Sequence, residues 1–178
     1  AVLCYQSDKG CAGLNHHFVS SWIAVVFFTS FVLAVNYLRG DLALPSWWLC
    51  YPAILTWVVD SVAYFAGKRF GKHHLVTRVS PKKTWEGLLS GLLAGIIFAG
   101  LVGCYALPAA FSFAGFLALT VACIIASVFG DLSISVLKRV ANVKDSGTLF
   151  PGHGGVLDRI DSLAPVMVVF AAGLFFFS

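Results

Sequence analysis

No residue between Gly87 and Gly130 carries a charge. That run constrains the fold more than any other feature of the chain. A helix crossing the hydrocarbon core of a bilayer takes about 20 apolar residues, so the run accommodates two crossings with a break near Pro108. Phe18–Leu38, Leu42–Val59 and Ser162–Ser178 are uncharged as well. Of the 178 residues, 59% are hydrophobic and 11% are charged, and the mean hydropathy is +0.88. Such a chain has no polar helical faces with which to cover a soluble core. A β-barrel would instead show strands of about 10 residues alternating in polarity. The sequence therefore predicts an all-α polytopic membrane bundle of about five transmembrane helices, with spans at 18–38, 42–66, 87–107, 109–137 and 160–178.

The sole methionine is Met167, so Ala1 is not an initiator position. Either an N-terminal part has been removed or the chain is a fragment. Residues 1–17 read as a cytoplasmic loop or a truncated N-terminal segment rather than a signal peptide. Cys4, Cys11, His16 and His17 match no zinc spacing. Cysteines inside the spans read as small packing residues.

Five spans divide the basic residues unequally. Lys9, Lys68, Arg69, Lys72, Arg78, Lys82, Lys83, Lys138, Arg139, Lys144 and Arg159 fall on one side, and Arg39 alone on the other. Short loops rich in Lys and Arg stay cytoplasmic. The loop after the second span and the loop after the fourth should therefore share the cytoplasmic face. Both start from a span that ends in an acid, Asp60 or Asp131. Orientation alone explains the bases but not those acids.

The densest chemistry lies between Ser135 and Asp161. It includes Lys138, Arg139, Lys144, Asp145, the turn Pro151-Gly152-His153-Gly154-Gly155, Asp158 and Arg159. Carboxylates at a membrane edge can hold a hard divalent cation, and the neighbouring bases can hold phosphate. On a helix Asp131, Ser135 and Lys138 share one face. Asp158 and Asp161 sit on one side of a helix start, with Pro165 one turn on. A structural salt bridge or helix-end solvation is the plainer reading of Asp131, and the helix dipole that of Asp158 and Asp161. The glycines permit a close backbone approach and an anion nest. His153 can bind phosphate, donate a proton or support the loop, and support is the commoner role of a lone loop histidine.

Upstream, Asp60 precedes Tyr64 and Gly67–Lys72, followed by Ser80-Pro81-Lys82-Lys83-Thr84-Trp85-Glu86-Gly87. The second string reads as a loop entering a helix, with Thr84 as its cap and no capping-box partner at Gly87. Trp47, Trp48 and Trp85 read as interface anchors. Gly87, Gly91 and Gly95 form a small-residue stripe, for close packing within the chain first and a dimer face second.

At these residues the sequence resembles the CDP-diacylglycerol synthase family, the phosphatidate cytidylyltransferases. The family signature runs S-x-x-K-R-x4-K-D, then P-x-H-G-G, then D-R-x-D. It is met at Ser135, Lys138, Arg139, Lys144, Asp145, Pro151, His153, Gly154, Gly155, Asp158, Arg159 and Asp161. The segments Asp60–Gly71 and Ser80–Gly87 resemble the family's upstream parts, so the likeness covers roughly residues 18–178. That stretch is then the membrane-embedded catalytic domain.

The resemblance implies a reaction of CTP with phosphatidic acid, giving CDP-diacylglycerol and pyrophosphate. It implies Mg²⁺ on Asp131 and Asp158 with Asp161 in support, and leaves room for a second cation. Lys138, Arg139 and Lys144 would hold phosphates and act with Asp131 and Asp158 as the catalytic set. Ser135, Asp145, His153, Gly154, Gly155, Arg159 and Asp60 complete the substrate site, and Lys82 and Lys83 close on the triphosphate. The acyl chains stay in membrane lipid, the site faces the cytoplasm, a homodimer through membrane helices is compatible, and no nucleic-acid partner is expected. CTP-dependent polyprenol kinases share the membrane architecture, but the complete signature speaks against them. The aspartate pattern of CDP-alcohol phosphotransferases is absent. An ion-coupled transporter using Asp60 and Asp131 would be expected to show an internal repeat, and none is visible.

Overall fold

The computed structural model describes residues 17–40, 46–76, 80–107, 111–140 and 160–177. Its helices are α1 (His17–Gly40), α2 (Cys50–Phe70), α3 (Trp85–Ala106), α4 (Phe113–Val140) and α5 (Leu163–Phe177). A 3₁₀ turn, Ser46–Leu49, leads into α2. Between α2 and α3 lies an antiparallel hairpin of β1 (His74–Val76) and β2 (Ser80–Thr84), with an irregular register.

Each expected span overlaps a helix; most ends shift by four residues or fewer, while α2 begins eight residues later than expected, at Cys50 instead of Leu42. Trp47–Phe70, Trp85–Ala106 and Phe113–Arg139 are long and apolar enough to cross a membrane. The apolar stretches Val25–Gly40 and Leu163–Phe176 are shorter. The architecture is that of an all-α membrane protein, since helices satisfy their own backbone where lipid offers no partners. The hairpin is the one departure among the described residues. The expected loop of Ser80–Gly87 is a strand running directly into a helix.

Helix α3 shows how the bundle is assembled. Gly87, Gly91, Gly95 and Ala99 are buried, while Leu89, Leu93, Ile97 and Leu101 are exposed. Both sets recur every four residues, so they are opposite faces of one helix. The small face meets α2. A Cβ on Gly87 would lie 2.6 Å from the Ala63 carbonyl oxygen, and one on Gly91 would lie 3.0 Å from that of Val59. The stripe serves packing within the chain, by the close backbone approach that small residues allow.

The other end of the same helix pair is filled with rings. Trp48 is 3% exposed, stacked on Phe170 at 6.3 Å and edge-on to Phe116 at 5.5 Å. Tyr51 stacks on Phe98 at 5.6 Å. Trp48 is thus a core residue and not the interface anchor its sequence position suggested; its neighbours offer more ring surface than a headgroup layer would. Trp47 and Trp85 stay exposed. Tyr51 also lies 2.7 Å from the Thr120 hydroxyl, which donates to the Phe116 carbonyl at 2.9 Å. Thr120 has one proton to give, so Tyr51 is the donor to Thr120.

Helix α5 packs on α4 and, on its other flank, on α1 through Ala34, Met167 and Ala171. At Gly130 the helices α4 and α5 come close together. A side chain there would strike the Pro165 ring and lie 2.7 Å from the Asp161 carbonyl oxygen. The next residue is Asp131, so this approach brings the start of α5 beside it.

Candidate active site

The hairpin is fastened to the start of α3 by short-range bonds. Thr84, in extended conformation, caps α3 by accepting the Gly87 N–H at 3.2 Å, which satisfies one of the free donors of the first turn. The Trp85 N–H donates to the His73 carbonyl at 3.0 Å. In the absence of a capping box, Glu86 turns to His73 instead. Its carboxylate accepts the His73 N–H at 3.2 and 3.3 Å and lies 2.7 Å from Nδ1. Space is tight here, since a Cβ on Gly67 would come within 2.9 Å of the Thr84 hydroxyl. The glycines of the seam therefore let the hairpin lie directly over the ends of α2 and α3.

Beside this seam is a cavity of about 280 Å³. Val59, Ala63, Leu88 and Val128 supply apolar wall, while Asp60, Tyr64, Ser80, Lys83 and Asp131 supply polar groups. Lys83, projecting from β2, places its ammonium 2.5 Å from Asp131 Oδ2. Ser135 donates its hydroxyl to Asp131 Oδ1 at 3.2 Å, one helical turn along α4. Asp60 feels the charges of both Lys83 and Asp131.

Asp161 stands at the mouth of α5. Its Oδ1 accepts the Ser162 N–H at 2.8 Å. Burial, reinforced by the nearby Asp131 charge, pushes its pKa up to about 6, against the pull of Ser162, Lys138 and Lys83. The two carboxylates repel each other, and added positive charge between them would relieve that repulsion. Oxygen donors of this kind suit a hard divalent cation. Among the described residues, however, no three acids, histidines or cysteines gather closely enough to hold a metal by themselves.

The structure thus brings together Asp60, Lys83, Asp131, Ser135 and Asp161 from two helices, a hairpin and the turn that enters α5, with Lys138 acting on Asp161. Arg139 is half-buried in the last turn of α4. Lys82 lies in β2, its side chain outside the described residues. Lys144, Asp145, His153, Gly154, Gly155, Asp158 and Arg159 also lie outside them. Sequence reasoning assigned Lys83 to phosphate and missed its pairing with Asp131. It also missed the role of Gly130, whose signal was a glycine directly before an acid at the end of an apolar run.

Residues 5–177 match the model of the cytidylyltransferase family. A phosphatidate cytidylyltransferase of Haemophilus influenzae is 46% identical over 131 residues, covering 72% of this chain and 46% of that protein. One from Pseudomonas aeruginosa is 48% identical over 119 residues, covering 67% and 44%. One from Thermotoga maritima is 40% identical over 154 residues, covering 83% and 55%. The chain spans about half the length of these curated relatives. With the family match running almost end to end, the chain belongs to the cytidylyltransferase family, as its likeness to the CDP-diacylglycerol synthases implied.

Proposed function

We propose that this chain carries the catalytic membrane portion of a phosphatidate cytidylyltransferase, which transfers CMP from CTP to phosphatidic acid and releases pyrophosphate. The observation that carries this reading is the convergence of Asp60, Lys83 and Asp131 on a cavity whose remaining wall is largely apolar. A lipid phosphate needs both surfaces, charge for its head and grease for its stem. The relatives named phosphatidate cytidylyltransferase support the same choice.

The chemistry asks little of an acid–base residue. A phosphate oxygen of the lipid attacks the α-phosphorus of CTP, and the bond from that phosphorus to the bridging oxygen breaks. The electron pair leaves with pyrophosphate. The nucleophile is already ionised, so catalysis rests on positioning and on neutralising charge. Lys83, Lys138, Arg139 and Lys144 would neutralise phosphate oxygens. Ser135 fixes one oxygen of Asp131. Mg²⁺ would be held by Asp131 and Asp158 with Asp161 in support, and would supply charge to the leaving pyrophosphate. On this reading the hairpin and residues 141–159 face the cytoplasm, where CTP is found.

The test is pyrophosphate release from CTP by the purified membrane protein, with and without phosphatidic acid. Release that requires phosphatidic acid and yields CDP-diacylglycerol is expected. Release indifferent to phosphatidic acid, or phosphorylation of a polyprenol instead, would overturn the reading. Cysteines at positions 72 and 146 should label from the same side of sealed vesicles; labelling from opposite sides would sink the shared face.

A further inference from the structure

Both carboxylate oxygens of Asp131 have a partner in this structure. Oδ2 holds the Lys83 ammonium at 2.5 Å, and Oδ1 accepts the Ser135 hydroxyl. The two charged side chains are 29% and 25% exposed, so the pair is neither sealed away nor free in water. Hard divalent cations bind carboxylate oxygens at about 2.0–2.6 Å. That is the space the ammonium fills, and both cannot use the same lone pairs.

The backbone that carries Lys83 is held in place. Thr84 caps α3 and pairs with His74 across the hairpin, and Trp85 is bonded to His73. Any departure from Asp131 therefore falls to the flexible four-carbon side chain. Asp60 and Asp161 both feel the Lys83 charge, so a released ammonium remains in an acidic surrounding and stays at the cavity. There it is a mobile donor for an anion.

From this geometry we infer that Lys83 is a resident counter-ion that exchanges with the metal: its ammonium holds Asp131 before loading, yields that carboxylate to a divalent cation, and then turns to a phosphate oxygen of the substrate. The inference rests on Asp131 as a cation ligand, as proposed above. It assigns Lys83 two successive partners, where a purely structural lysine has one.

A cation beside a carboxylate weakens its hold on a proton by roughly one to three powers of ten, and a metal ion meets the same competition. Mn²⁺ affinity is therefore measured by electron paramagnetic resonance on the wild-type protein, Lys83→Met and Asp131→Asn, without nucleotide or lipid. Lys83→Met should bind Mn²⁺ at least about tenfold more tightly, and Asp131→Asn should lose that site. Equal or weaker binding by Lys83→Met, or no Mn²⁺ binding by either wild type or Lys83→Met, overturns the exchange. A second measurement needs no variant. Acylation of Lys83, followed by mass spectrometry on the wild-type protein, should quicken severalfold when Mn²⁺ saturates; an unchanged or slower rate overturns the exchange even if Lys83→Met fails to fold. Both arms are independent of turnover. A protein that makes CDP-diacylglycerol while its Mn²⁺ affinity ignores Lys83 refutes the exchange alone, and the converse result refutes the cytidylyltransferase reading alone.

Discussion

Where α2 and α3 meet beside Trp48, Tyr51 and Phe98, rings fill the space between helices. Where the same two helices meet beside Asp60, glycines let them touch, and a cavity remains next to the contact. One end gains cohesion from many ring contacts, each worth about 0.5–1.5 kcal/mol beyond area burial. The other gains it from backbone proximity and keeps room for charge. Bulk and chemistry are thus segregated along a single pair of helices. A site that must hold a polar ligand at a membrane edge can be open because its stiffness is supplied elsewhere in the bundle.

Asp131→Asn tests the charged end most severely. If the proposed reaction is right, pyrophosphate release should fall about 10²–10³-fold, the scale for losing one charge-stabilising group. The folded yield should hold, because the Lys83 head can reach water along its own stem. Normal turnover at saturating Mg²⁺ would mean that this end is not the working end.

Phe170→Ala tests the ring-filled end. Lipid is as apolar as the ring, so the transfer term largely drops out. What remains is a void of roughly 100 Å³, which at about 24 cal/mol per Å³ costs about 2–3 kcal/mol. Thermal unfolding in detergent should register that loss, while turnover per folded molecule stays close to wild type. A large fall in turnover without loss of stability would show that the two ends are not separate.

Gly87→Ala examines the seam between them. Its methyl would meet the Ala63 carbonyl at 2.6 Å and the Gly67 Cα at 3.3 Å, and backbone cannot move aside cheaply. Overpacking of this kind costs about 1–3 kcal/mol, and it should lower activity as well, because Gly87 lines the cavity. Gly100→Ala, with nothing within 4 Å of the new methyl, is the matched control; it should leave activity unchanged and raise stability by no more than about 1 kcal/mol, as Ala replaces Gly inside a helix. Smallest of all is Tyr51→Phe. Thr120 keeps its bond to Phe116, so only about 0.6 kcal/mol should be lost on unfolding, the mean for such bonds in a bilayer. A loss of several kcal/mol would mark Tyr51 as a keystone of the ring-filled end.

The span pattern was legible because charge cannot be hidden in a bilayer. Uncharged runs such as Gly87–Gly130 therefore mark the helices directly. The stripe of Gly87, Gly91 and Gly95 and the Asp131–Ser135 pair were legible because helical spacing fixes which residues share a face. Spacing says nothing about which neighbour that face will meet, so Val59 and Ala63 could not be named as partners of the glycines. The hairpin escaped for a local reason. Its strands are three and five residues long, and Ser80–Thr84 shows no alternation of polar and apolar residues to betray a strand. The pairing of Lys83 with Asp131 escaped for a tertiary one, since it depends on how the hairpin folds back over the helix ends. Trp48 was misplaced because an indole near a span end suits a headgroup layer and a core equally well.

The Lys83–Asp131 pair also bears on how the protein enters the bilayer during synthesis. An isolated carboxylate costs about 2.5–3.5 kcal/mol at the centre of a membrane helix on insertion scales, and less towards the edge where Asp131 stands. Lys83 precedes Asp131 in the chain, so the ribosome makes the base before it makes the acid. When α4 is delivered, a base is already waiting at the head of α3. The helix can then take its place as half of a neutral pair, before Asp161 arrives just ahead of α5.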